Sequence, residues 1–220
     1  MSARIRSLAV LIPMILLAAP ALPREAQQHL VEHMKIQLEV TKRGRPAPSF
    51  SVRVGPITSL VPLKGHFNAD QVFGAPFVDE LRDGIAYYLA QKGVNVVDAI
   101  ADLQVAGRII GYEDFRGGGE HGAEVRMQAA FLRHGQKVYE QEVKSLFKFR
   151  GEGDATDKLK PVYKAKTGSK SVDFPEVLFT KIAADLGEKI YIILDQERKS
   201  LVSLGAPDPA ASGQPAGRRR

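Results

Sequence analysis

The chain has no cysteine and no tryptophan, and aromatic residues make up only 7% of it. Without cysteine there is no disulfide, no thiolate metal site, no cysteine nucleophile and no lipid attached through sulfur. A cysteine-free chain is at ease in an oxidising compartment, although the absence alone does not choose one. Also missing is any apolar run long enough to span a membrane. Charge of one sign is not clustered either. Of the formal net charge of +6, Arg4 and Arg6 supply part near the start, and Arg218, Arg219 and Arg220, offset by Asp208, supply part at the finish. Leu22 to Leu204 is left with about +2, both signs interspersed. A nucleic-acid-binding domain shows a clustered basic face. None is visible, so nucleic acid is not an expected partner.

What is present begins with an export signal. Arg4 and Arg6 precede an apolar run, Leu8 to Ala18, of signal-peptide length, and Ala19-Pro20-Ala21 offers the small-x-small pattern of a cleavage point. Residues 1–21 are therefore expected to be a signal peptide, with an uncleaved anchor as the alternative because Pro20 sits awkwardly beside the cut. The protein is expected to be periplasmic or secreted, and membrane-peripheral in the anchored case. Residues 22–48 read as an N-terminal segment and linker, 49–204 as one α+β domain, and 205–220 as a disordered basic tail rich in Pro, Ala and Gly.

The domain is organised around Leu103 to Phe149, which reads as a three-strand meander. Odd positions are apolar (Leu103, Val105, Ile109; Val125, Met127, Ala129, Phe131; Tyr139, Val143, Phe147, Phe149) and even positions largely polar. Side chains alternate faces along a strand, so one sheet face is built to be covered and the other to meet water. Parity selects a three-residue loop, Arg133-His134-Gly135, which pairs Ala129 with Tyr139 and Val125 with Val143. The glycine-rich stretch from Glu113 to Gly122 is expected to be a mobile hairpin tip.

Around the meander, Arg24 to Glu32 suits a short helix, and Met34 to Val40 alternates as a strand. Phe50 to Ile57 is a second strand, ended by Gly55-Pro56. Leu60 to Gly74 reads as a loop, and Val94 to Val97 as a short strand. Pro76 to Lys92 is expected to be a helix, burying Phe77, Leu81, Ile85, Tyr88 and Leu89 and leaving Asp79, Glu80, Arg82 and Asp83 outside. Arg150 to Val172 reads as an exposed excursion. A last helix starts at a capping-box spacing, Asp173 and Glu176, and runs to about Lys199 with a long apolar stripe. Both stripes laid on one sheet face give a two-layer α+β sandwich, a mainly antiparallel sheet covered on one face by two helices. Lys137 to Phe149 is then an edge strand unless an N-terminal strand pairs with it, and a bare edge invites a partner's strand.

Chemistry is thinly marked. His29-Leu30-Val31-Glu32-His33 matches H-x-x-E-H, in which two histidines one turn apart hold zinc and the glutamate acts as base. No clear third ligand follows it. The site would support a secreted metal-dependent hydrolase using His29, Glu32 and His33; the bland alternative is a solvated helix. Ser145 to Lys148 and Lys166-Thr167-Gly168 echo serine-enzyme motifs, but Ser145 falls on a strand and no S-D-N exists. Gly117 to Gly122 lacks the lysine and the helix of a phosphate loop. Glu140 and Glu142 share a strand face with Lys144 and Lys148, which suits a solvated ion-pair face. His66, His121 and His134 read as isolated surface residues in loops. No catalytic, cofactor or metal residue is expected.

Phe77 to Val97, Ala101-Asp102-Leu103-Gln104-Val105-Ala106-Gly107-Arg108-Ile109, Gln128 to Val143 around Gly135, and Asp173 to Gln196 together resemble small Gram-negative envelope lipoproteins of the YajG type. The same pattern resembles, more loosely, the auxiliary lipoproteins of ABC-type lipid transport systems. The resemblance implies a periplasmic location. Those families attach to the outer membrane through a lipidated cysteine after the signal, and this chain has none. The expected role is that of a non-enzymatic accessory protein binding an envelope protein or lipid, with an appendage or adhesin component as a further alternative.

Overall fold

The computed structural model describes residues 29–38, 50–168 and 171–196. Its elements are α1 (His29–Gln37), β1 (Ser51–Ser59), α2 (Ala69–Val72), α3 (Phe77–Gln91), β2 (Asn95–Val96), β3 (Leu103–Gly117), β4 (Glu120–Arg133), β5 (Gln136–Phe149), α4 (Glu152–Thr156), α5 (Lys160–Thr167) and α6 (Phe174–Gln196). The signal segment, the tail and the expected helix end at Lys199 lie outside the described residues.

One mixed sheet runs in the order β2-β1-β3-β4-β5. Its antiparallel part is the meander β3-β4-β5, and β1 pairs parallel with β3 on one side and β2 on the other. Ser51 at the start of β1 clasps Asp102 before β3. Its N–H and hydroxyl both donate to Asp102 Oδ2 at 2.8 Å, and the Asp102 N–H donates back to Ser51 Oγ at 3.0 Å. Those bonds hold the Asp102 carboxyl below the usual carboxylate range. Gly55-Pro56 produces a register shift rather than an end to pairing, which resumes at Ile57 opposite Gly107. Proline is tolerated there because β2 pairs only Ser51 and Val52, leaving that flank of β1 open.

The covered face is the one the alternation marks: Leu103, Val105, Ile109, Val125, Met127, Ala129, Phe131 and Val143 are all buried. A bulge at Ile110 then reverses the parity of β3, bringing Tyr112 opposite Val125 and its ring 6.4 Å from that of Phe179 on α6. On this face lie α3, burying Phe77, Leu81, Ile85 and Leu89, and α6, burying Val177, Leu178, Ile182, Leu186, Ile190, Ile193 and Leu194. The fold is the α+β sandwich that face-counting implies. More of α6 is buried than one stripe, Phe179 and Ala183 included, because sheet, α3 and α1 surround it.

Six local readings are corrected. Residues 34–37, expected as strand, belong to helix α1, whose Leu30 and Met34 are fully buried; the spacing i, i+4 overrides the alternation once α3 and α6 supply a surface. Gly84 on α3 makes the room, since a Cβ there would stand 2.4 Å from Leu30 Cδ2. Glu80, expected outside, is 1% exposed and accepts the Leu30 N–H. The β4–β5 loop has two residues, His134 (φ 49°) and Gly135 (φ 79°), both left-handed, with Arg133 opposite Gln136. Beyond it a bulge at Val138 restores parity, so Phe131 faces Tyr139 and Met127 faces Val143. At the other hairpin the ladder continues to Gly117 and Glu120 instead of dissolving from Glu113. Residues 152–167, expected as an excursion, form α4 and α5 and bury Ala155, Thr156 and Tyr163. His121, expected in a loop, sits in β4 opposite Phe149.

Candidate functional site

The strongest concavity lies where β3 and β5 end and β4 begins. It has a volume of about 530 Å³ and draws its walls from the 60–74 loop and α2 (His66, Phe67, Asn68, Gln71, Val72), from β3 (Arg116), from α4 (Glu152) and from the start of α6 (Asp173, Phe174, Pro175, Glu176).

Its floor is aromatic because Phe174, at the first turn of α6, is surrounded by rings. Phe67 lies 5.6 Å away, Phe149 meets it edge-on at 5.6 Å, and His121 edge-on at 5.9 Å. Phe67 and Phe174 are both buried, yet both line the cavity. Such edge-on clusters are rigid apolar platforms.

Asp114 fixes the loop that supplies Phe67. Its carboxylate accepts the His66 N–H at 2.9 Å, the Phe67 N–H at 2.6 Å and the Tyr112 hydroxyl at 2.9 Å. Burial, then the bond to Asp114, pushes the Tyr112 hydroxyl far above its ordinary range. The loop approaches so closely that a Cβ on Gly65 would stand 1.9 Å from Asp114 Oδ1. Asp70 does similar work one turn on, accepting the Phe77 N–H at 2.9 Å where α3 starts.

The rim is charged. Arg116 Nη2 pairs with Glu152 Oε1 at 2.8 Å, and His121 Nδ1 lies 3.7 Å from the same oxygen. Glu176 faces His33 Nε2 at 3.7 Å. Behind it, Gln37 Nε2 donates to the Tyr163 hydroxyl at 2.8 Å, and Tyr163 meets His33 Nδ1 at 2.5 Å. Burial raises the Tyr163 pKa; the Gln37 bond opposes this and the Glu176 charge reinforces it. Lys166 adds a clamp, donating to the carbonyls of Lys35 and Ile36 at 3.2 and 3.3 Å. This chain of contacts ties α1, α5 and α6 into the wall beside the cavity.

The H-x-x-E-H residues part company. His33 turns inward onto Tyr163, Phe73 and Glu176, while Glu32 turns to solvent and pairs with Lys35 at 2.6 Å. The His29 side chain lies outside the description. Among the described residues no three metal-ligating side chains converge. Ser145 is fully buried within β5, Glu140 is paired with Lys137 at 2.6 Å, and His134 occupies its turn.

Sequence reasoning passed over Phe67, Asp114, Tyr163 and Phe174. The usable signals were faint: Asp114 is the lone acid of β3 on the covered side near the bulge, and Phe174-Pro175 opens a helix at a capping box. His66 is exposed in its loop, as expected, at the edge of the cavity, whereas His121 is half-buried and packs on Phe174.

No family model matches the chain, and no curated protein matches it. Solved structures do. Protein XCC0632 of Xanthomonas campestris, of the DUF330 family, is 13% identical with a TM-score of 0.48 over 73% of this chain and 94% of that one. A minor lipoprotein from Acinetobacter baumannii is 11% identical, with a TM-score of 0.36 over 70% of this chain and 96% of its own. Lipoprotein GNA1162 from Neisseria meningitidis is 13% identical, with a TM-score of 0.34 over 56% of this chain and 96% of its own. Scores of this size carry no argument about ligand or partner. Among the described residues no helix is long and apolar enough to cross a membrane.

Proposed function

We propose that this chain is a non-enzymatic accessory protein of the bacterial cell envelope, periplasmic or secreted, which binds another envelope component, protein or lipid, in the service of a transport or assembly complex. The observation that carries the reading is the cavity on Phe67 and Phe174, built from four separate parts of the chain and braced by Asp114. A rigid aromatic floor beneath a polar rim suits one bulky apolar group presented by the partner, with the rim fixing its orientation. The export signal at residues 1–21 and the resemblance to envelope lipoproteins support the location.

Filling the mouth tests it. Gln71→Trp, at an exposed rim position, leaves the fold intact and blocks the group that enters. In cells carrying a photo-cross-linker at Val72, the parent chain gives a defined adduct in the envelope fraction, and the Gln71→Trp chain gives none. An adduct unchanged by Gln71→Trp, or a chain confined to the cytoplasm, sinks the reading.

A further inference from the structure

Strand β5 (Gln136–Phe149) is hydrogen-bonded on one flank only, to β4, and among the described residues nothing pairs its other flank. Such an edge is a template for another strand. We propose that it is an interface between two copies of this chain, joined as antiparallel β5 strands about a two-fold axis at Val143.

The sequence of β5 narrows the register. Directly opposed residues in an antiparallel pair project on the same sheet face. A two-fold axis between residues sets covered-side side chains of one copy against water-side ones of the other. The axis therefore passes through a residue. Centred on Glu142, it opposes Glu142 to itself; centred on Lys144, it opposes two lysines. Like charges directly opposite are destabilising.

Centred on Val143, the charged pair beside the axis and the aromatic pair beyond it meet complements. Glu142 of each copy faces Lys144 of the other, twice by symmetry. Tyr139 faces Phe147, also twice, and both are half-buried in the single chain. Val143 meets Val143, Gln141 meets Ser145 and Glu140 meets Leu146, and the pairing runs from Tyr139 to Phe147, short of the bulge at Val138. Lys144 already pairs with Glu124 at 2.8 Å, whereas Glu142 is exposed, opposite uncharged Gln128 and without a cation among the described residues, so the second copy supplies one. The same charges deter strands with a different pattern, which is the usual service of charge on an edge.

The test uses sedimentation of the purified chain at tens of micromolar. The expected species has twice the mass of one copy. Glu142→Lys turns both cross-strand pairs repulsive and weakens the dimer by about tenfold or more, and adding Lys144→Glu to it restores association. Because the chain lacks cysteine, a second test is clean: a Glu142→Cys protein mixed with a Lys144→Cys protein forms a disulfide-linked heterodimer on oxidation. Neither forms one alone, since only the mixed pair is directly opposed. A monomer at these concentrations overturns the proposal, as does a dimer indifferent to Glu142→Lys or a mixture that yields no cross-link. The cavity plays no part, so Gln71→Trp leaves the dimer unchanged and the two readings fail separately.

Discussion

Glu80 on α3 accepts a hydrogen bond from the Leu30 N–H at 2.9 Å, across fifty residues of sequence. The carboxylate is buried and serves the first turn of α1, whose N–H groups have no partner within the helix. Glu80→Ala removes the acceptor of the Leu30 N–H. The expected cost is about 2 to 3 kcal/mol, read by urea denaturation, together with faster hydrogen exchange at Leu30. A variant as stable as the parent, with Leu30 still protected, shows that α1 docks on Leu30 and Met34 alone.

The two layers give a direct comparison. Phe131 and Ile182, fully buried in sheet and helix respectively, should each cost about 2 to 5 kcal/mol on truncation to alanine. Arg126 lies on the wet face, loosely paired to Glu124 at 3.6 Å, and its loss should cost roughly half a kcal/mol or less. Equal unfolding midpoints for the three variants would refute the face assignment.

Gly65→Ala drives a methyl group into the Asp114 carboxylate. The expected result is loss of protection at the His66 and Phe67 amides and a cavity that no longer holds its floor, while the meander amides stay protected. Asp114→Asn is the milder partner: it keeps the shape and one acceptor, and should weaken only part of the network. Unchanged Phe67 exchange in the Gly65→Ala protein means the loop is held by Phe67 packing.

Burial holds the Tyr112 and Tyr163 hydroxyls above the ordinary tyrosine range. A raised value in the folded state means the neutral hydroxyl is favoured by folding. Their contribution is complete below the unfolded tyrosine value and is lost as pH climbs through the folded one. Stability should therefore fall with increasing pH above about 10, with a phenolate absorbance step that coincides with unfolding. Tyr112→Phe should flatten the fall, and phenolate signals complete in the still-folded protein would contradict the burial of these two hydroxyls.

How far the sequence could be read depended on whether a segment carried its own period. The meander, α3 and α6 repeat their apolar positions often enough that the covered face is legible residue by residue. The Met34-Ile36-Leu38 alternation misled because it is short, and the partner that decides the outcome, Glu80, is remote. Parity at the β4–β5 hairpin held while the loop length did not, since a bulge at Val138 did what an extra loop residue was expected to do. The candidate site was hardest. Asp114, Tyr163 and Phe174 are single residues whose meaning comes from neighbours dozens of positions away, and no local pattern announces them.

The placement of α1 has a consequence in time. Its contacts come from α3, α5 and α6, so the first described helix is completed by some of the last residues made. A chain delivered N-terminus first, from a ribosome or through a translocation channel, can close the β3-β4-β5 ladder from neighbouring residues early. Leu30 and Met34 can meet α3 early but keep one side uncovered until α6 arrives. Docking of α1 is therefore complete only once α6 is made, and an interrupted chain that stops before residue 174 leaves one side of that helix uncovered.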